Sequence, residues 1–316
     1  EKIHGIVYLK ALDVPNIRYT ISEVEKKILS LMEHTIQLLR YLDQFASQSV
    51  PRIWLVTRGV WTPGAEGNDS IPYSATLWGL GRTLALENPR LWGGMIDLDS
   101  EINHLECGKQ IAAALAGLDD EDQVAIRKSG IHVARLERKN IPQNREPVRF
   151  HTNGSYVITG GLGGLGLRLA KWMVRQGARR IVLMGRTGLP PRSTWMSIDP
   201  ESRDGSRIRD IRSLETLGAS IHVVELDVAD EVRFQKWIDT FRAEGWPPIK
   251  GVFHAAGVAE FGPVLELNDE TIISHIRPKV CGAVVLDRYL SSEPLEFFIL
   301  FSSASTVLSS PGMGAY

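Results

Sequence analysis

The chain has 316 residues, 43% of them hydrophobic and 23% charged, with a formal net charge of −1. That balance suits a globular protein able to bury a real core, and the length suits two domains of ordinary size. It removes the electrostatic case for nucleic acid or an anionic membrane surface as partner. No apolar run approaches the ~20 residues needed to cross a bilayer. The opening Glu1-Lys2-Ile3-His4-Gly5 is no signal peptide. Cys107 and Cys281 form neither a Cys-x-x-Cys pair nor a disulfide framework, which fits reduced thiols and a cytoplasmic location. The eight histidines show no metal-ligand spacing, so no metal is expected. The chain opens just before an apolar strand and stops straight after a glycine-rich loop. It is therefore expected to be a piece of a longer polypeptide.

In chain order, Ile6 to Leu9 predicts a short strand, followed by Lys10-Ala11-Leu12-Asp13 with no glycine turn. A long helix is expected from Ser22, with Glu25 as capping-box partner and one buried face from Ile28, Leu29, Met32, Ile36, Leu39 and Leu42. Strand Ile53–Thr57, helix Leu77–Glu87 and strand Met95–Leu98 follow. Gln123–Arg127 and His132–Leu136 then read as a hairpin around Ser129-Gly130. The polar, two-proline stretch 138–150 reads as a linker, dividing the chain into 1–148 and 149–316. Beyond it the alternation continues. Strands are expected at 155–159, 181–184, 222–226, 251–254 and 297–301, with helices to about 176 and over 206–217, 231–244 and 269–290. The fold class is α/β, a doubly wound Rossmann-like parallel sheet preceded by a smaller α/β unit with no phosphate site of its own.

Five constellations bear on chemistry. Thr159-Gly160-Gly161-Leu162-Gly163-Gly164-Leu165-Gly166 lies between a predicted strand and helix. There glycines permit a tight turn and close approach of backbone amides to a dinucleotide pyrophosphate. Gly185-Arg186-Thr187 stands at the end of the second strand, where folds preferring NAD carry an acidic residue. A guanidinium there suits the 2′-phosphate of NADPH. Asp227-Val228 ends another strand, where the carboxylate either accepts from an adenine amino group or caps the next helix. His254-Ala255-Ala256-Gly257 offers small residues against which a cofactor can lie, and His254 taken alone is equally a packed core histidine. Finally, Lys279, Ser303 and Tyr316 supply a cation, a hydroxyl and a phenol. A tyrosine donating a proton to a ketone oxygen is helped by an ammonium that lowers its pKa from about 10. A packed tyrosine and a strand-end serine are the plain alternative.

Together these motifs resemble the short-chain dehydrogenase/reductase superfamily, and more closely the ketoreductase domains of modular type I polyketide synthases. The resemblance extends to Leu77-Trp78-Gly79-Leu80-Gly81-Arg82 and Trp92-Gly93-Gly94-Met95-Ile96-Asp97-Leu98 in the first half. That half is similar to the family's truncated Rossmann-like structural subdomain. His275-Ile-Arg-Pro-Lys279-Val-Cys-Gly282 resembles the segment that carries the family's catalytic lysine. The resemblance implies Lys279, Ser303 and Tyr316 as catalytic, with an asparagine four positions past Tyr316. It implies NADPH as cofactor and a β-ketoacyl chain on the phosphopantetheine arm of an acyl carrier protein as substrate, within a polyketide synthase module and beside other synthase domains. Two stereochemical signatures are absent: Ala259-Glu260-Phe261 replaces Leu-Asp-Asp, and Leu308 replaces a tryptophan eight residues before the tyrosine. The competing expectations are a reductase of free small ketones and a structural or epimerising domain that does not reduce.

Overall fold

The computed structural model describes residues 3–13, 20–45, 50–61, 73–101, 103–117, 121–139 and 148–316. Most of the expected linker, 140–147, lies outside them. Contacts divide the chain into two compact units. The first comprises Glu1–Asn140, Ala259–Ser274 and Ser303–Tyr316, the second Ile141–Val258 and His275–Ser302.

The first unit holds β1 (Gly5–Tyr8), β2 (Arg52–Arg58), β3 (Trp92–Leu98), β4 (Gln123–Arg127) and β5 (Gly130–Val133), paired in that order. The first four strands are parallel and β5 returns antiparallel on β4. Its helices are α1 (Ile21–Asp43), α2 (Thr76–Glu87) and α3 (His104–Gly117). The capping box stands two residues earlier than expected. Thr20, extended at the N-cap, accepts from Glu23 N while Glu23 Oε2 accepts from Thr20 N at 2.8 Å. Both frames carry a hydroxyl three residues before a glutamate, and burial of Ile21 and Val24 selects the earlier one. The hairpin's second strand is also shorter and earlier than the predicted His132–Leu136.

At the C-terminal end of β3, where a dinucleotide fold keeps its ligand, this unit has a buried polar network. The fully buried Asp97 accepts from Thr57 Oγ1 at 2.6 Å and pairs with Arg127 at 2.5 Å. Trp78 Nε1 donates to Thr57 at 3.0 Å, and Arg82 lies over the rings of Trp61 and Trp78. The carboxylate is satisfied by the chain itself.

The second unit holds β6 (Ser155–Thr159), β7 (Arg180–Gly185), β8 (Ser220–Glu225), β9 (Ile249–His254) and β10 (Phe297–Leu300). All are parallel, in the order β10-β9-β6-β7-β8. The inner strands β6, β7 and β9 are largely apolar because both faces of the middle of such a sheet are covered, whereas the outer β8 and β10 are partly exposed. Tyr156, Ile158, Ile181, Leu183 and Phe253 pack with Met173, Ile208 and Ile211 of the helices in one core. Those helices are α4 (Gly164–Arg175), α5 (Arg203–Thr216) and α6 (Glu231–Ala243). The expected single helix over 269–290 is instead α7 (Asp269–Ile276), a π-turn (Arg277–Cys281) and α8 (Gly282–Leu290). Pro278 is the reason, since its ring and missing N–H disrupt the regular ladder and an extra residue per turn absorbs the disruption.

The division by contacts differs from the sequence boundary at 148/149. Segments 259–274 and 303–316 belong with the first unit, whose side chains bond to them. Arg40 donates to Leu265 O at 2.6 Å and to Leu267 O at 2.8 Å, and Thr83 Oγ1 lies 2.9 Å from Ser309 Oγ.

Candidate cofactor cleft and catalytic residues

The strand order of the second sheet reverses between β6 and β9, and open α/β sheets keep their ligands at that switch point. A cleft of about 440 Å³ opens there. It is lined by the loop after β6, the Gly185-Arg186-Thr187 turn after β7, Asp227-Val228 after β8 and Ala255-Ala256-Gly257 after β9. Four segments scattered through the sequence thus meet at one crevice. Of the residues expected to bind cofactor, Thr159, Gly160, Leu162, Gly163, Gly164 and Leu165 line the cleft, while Gly161 and His254 stand behind it.

The loop geometry follows from its glycines. Gly160 has φ +66°, a conformation that other residues rarely adopt, and a Cβ on Gly166 would lie 2.5 Å from Gly160 O. The close approach brings the start of α4 against the turn, and nothing lies within 4 Å of where a Cβ on Gly164 would point. Gly161 N donates to Met184 O at 3.1 Å, tying the loop to β7. The result is a helix N-terminus with open backbone, a fit for a pyrophosphate.

His254 is part of the frame. Thr159 Oγ1 lies 2.7 Å from His254 Nδ1 and accepts from Ala256 N at 3.2 Å, so one hydroxyl joins the ends of β6 and β9. Burial, reinforced by the charge of Lys279, pushes His254 down to about 4. The ring is neutral in the native state and titrates near 6.5 when unfolded. Stability from this group is therefore complete above 6.5 and declines as pH falls toward 4, by up to about 3 kcal/mol. In urea titrations the stability advantage of the wild type over His254→Gln is expected to shrink by that amount across the window. An advantage that stays flat would contradict this reading.

Asp227 does not cap α6; that role falls to Asp230, which accepts from Arg233 N at 3.0 Å. Asp227 instead accepts from Ala229 N at 3.0 Å and lies 3.4 Å from Arg277. Arg186 is exposed at the rim, with no hydrogen bond or ion pair to the described residues. Two further arginines line the cleft that the sequence motifs do not reveal. Arg203, at the start of α5, is exposed and equally unpartnered. Arg207 is nearly buried and donates to Leu162 O at 3.1 Å, bracing the glycine loop. Their signal is spacing: four residues apart, they share one face of a helix that begins three residues before its predicted start.

Lys279 sits on the π-turn, half-buried, and donates to Phe301 O at 3.0 Å. Burial lowers its pKa. A Cβ on Gly257 would come within 2.7 Å of Lys279 Cε, so the lysine stem lies along bare backbone. Ser303 and Tyr316 belong to the first unit. Ser303 is extended and accepts from Ser305 N at 3.2 Å. Tyr316 keeps 39% of its surface exposed, with its ring 6.3 Å from that of Phe261. Cys107 and Cys281 are both buried. No helix among the described residues is long and apolar enough to cross a membrane.

Fold and cleft together define a dinucleotide-binding α/β protein. Residues 154–316 match the family of the KR domain, and residues 8–136 match the Rossmann fold domain of the polyketide synthase extender module SpnB. A 6-methylsalicylic acid synthase of Arthrobotrys oligospora is 40% identical over 85% of the chain, and the 5-methyl-1-naphthoate synthase of Streptomyces sahachiroi 37% identical over 84%. The chain spans 15% and 14% of those proteins' lengths. Among solved structures, the first ketoreductase of the tylosin polyketide synthase is 30% identical with a TM-score of 0.71, covering 96% of this chain and 66% of that one. PlmKR1, from the first module of phoslactomycin biosynthesis in a Streptomyces species, is 30% identical with a TM-score of 0.73, covering 90% and 62%. The chain belongs to the KR family, the ketoreductase domains of polyketide synthases. It is thus an oxidoreductase of the nicotinamide-using kind, with a truncated Rossmann-like part ahead of the catalytic one.

Proposed function

We propose that this domain uses NADPH to reduce the β-keto group of an acyl chain carried on the phosphopantetheine arm of an acyl carrier protein. Residues 1–148 would form the structural subdomain and 149–316 the catalytic one, with neighbouring synthase domains as partners. The observation that carries the reading is the intact cleft at the switch point of the second sheet. Its glycine loop is open, and two unpartnered guanidiniums, Arg186 and Arg203, stand at its rim. A domain that only scaffolds its module has no need of either.

The reduced nicotinamide, when bound, supplies the hydride. The loop from Gly160 to Leu165 would hold the pyrophosphate, Arg186 and Arg203 the 2′-phosphate, and Ala255 to Gly257 the face beneath the ring system. Tyr316 donates its phenolic proton to the ketone oxygen as the carbonyl carbon is reduced. Ser303 holds the same oxygen by a hydrogen bond. Lys279, already desolvated, favours the phenolate that remains. The test is loss of nicotinamide absorbance when the full-length protein meets a β-ketoacyl thioester. Turnover with NADPH supports the reading, and a protein that binds NADPH yet leaves the thioester unchanged overturns it.

A further inference from the structure

We infer that Glu87 is a positioning residue for the segment that carries Tyr316. This rests on the reading of Tyr316 as the proton donor. Glu87 ends α2, 229 residues before Tyr316 in the sequence (316 − 87), and its two carboxylate oxygens go to two different stretches of backbone. Oε2 accepts from Val264 N at 2.7 Å and Oε1 accepts from Gly312 N at 2.6 Å. A carboxylate at a helix C-terminus faces the negative end of the dipole, so its local position is unfavourable and the gain lies in what it binds. Charge-assisted bonds of this length are the strong ones.

The two stretches are also tied to each other. Gly262 N donates to Gly312 O at 2.9 Å, and Gly262 pairs with Met313 as an isolated bridge. Gly312 has φ +81°, the left-handed conformation that favours glycine. Val264 is fully buried, and a Cβ on Gly314 would come within 2.6 Å of it. Tyr316 N then donates to Met313 O at 3.2 Å. A short chain of bonds runs from Glu87 through Gly312 and Met313 to Tyr316. Arg82 and Thr83, one turn earlier on α2, hold Thr306 O and Ser309 of the same segment. The helix thus grips the stretch between Ser303 and Tyr316 at three points, and the one held by Glu87, Gly312, is nearest Tyr316 in sequence.

The experiment compares Glu87→Gln with the wild-type full-length protein. An amide keeps one acceptor and turns an N–H toward a backbone N–H, so one of the two bonds becomes a repulsion. The expected result is a kcat at least tenfold lower, a Kd for NADPH within twofold of wild type, and amide hydrogen exchange at Gly312 at least tenfold faster. Gly312→Ala, which strains the turn without touching α2, is the second variant and is expected to show the same split. Glu87→Asp, keeping the charge, is expected to recover part of kcat. If both Glu87→Gln and Gly312→Ala turn over within twofold of wild type, the positioning role is overturned. If the wild type itself does not turn over, the reductase reading fails instead, and unchanged exchange at Gly312 in Glu87→Gln would still overturn the clamp.

Discussion

Tyr316→Phe is expected to lower kcat by ~10²–10⁴-fold while leaving the Kd for NADPH within twofold. The phenol is the one group in the proposed set that can hand a proton to the ketone oxygen. Removing its hydroxyl takes nothing from the cleft, whose lining belongs to the second unit. Ser303→Ala keeps the proton donor and loses only a hydrogen bond to the oxygen, so its effect on kcat is expected to be smaller. Stopped-flow single-turnover rates, with cofactor fluorescence as the binding measure, separate the two. A Tyr316→Phe protein that keeps full single-turnover rate would remove the phenol from the mechanism.

The second large effect concerns the cofactor. Arg186→Ser is expected to raise the Kd for NADPH by about ten- to a hundredfold and to leave that for NADH unchanged. A charge-assisted hydrogen bond to phosphate contributes about 1.5–3 kcal/mol and a tenfold change in affinity is about 1.4 kcal/mol. Arg203→Ser, removing a second exposed cation at the same rim, is expected to weaken NADPH by a few-fold in the same direction. The two effects would not add, since both arginines would address one phosphate. Equal losses for NADPH and NADH in Arg186→Ser would mean that the side chain does not read the 2′-phosphate.

Much of the second unit was legible in the sequence. Its inner strands are buried on both faces, so they stand out as apolar runs bounded by glycine and polar turns, and the observed ends of its strands fall within two residues of those expected. The glycine loop was legible because its geometry needs glycine: φ +66° at Gly160 is rare for other residues, and a Cβ at Gly166 would meet Gly160 O. Helix α3 was not foreseen. It buries Cys107 and Ala114 but leaves Leu105 and Leu115 exposed, and Gly108 lies within it, so its periodicity is weak. Arg203 and Arg207 were missed because a guanidinium on a polar helix carries no motif until the fold turns it toward the glycine loop. The attachment of segments 259–274 and 303–316 to the first unit was hidden for a different reason. It depends on side chains such as Arg40 and Glu87 bonding backbone more than 170 residues away, which leaves no local pattern.

Hydride transfer to the β-carbon is read directly by mass spectrometry of a carrier-bound β-ketoacyl chain incubated with the full-length protein and NADPH deuterated at the transferable position. The expected result is a β-hydroxyacyl product with deuterium at the β-carbon. An unreduced chain that carries no deuterium there would contradict it. If its α-hydrogen meanwhile exchanges with solvent, the domain epimerises rather than reduces.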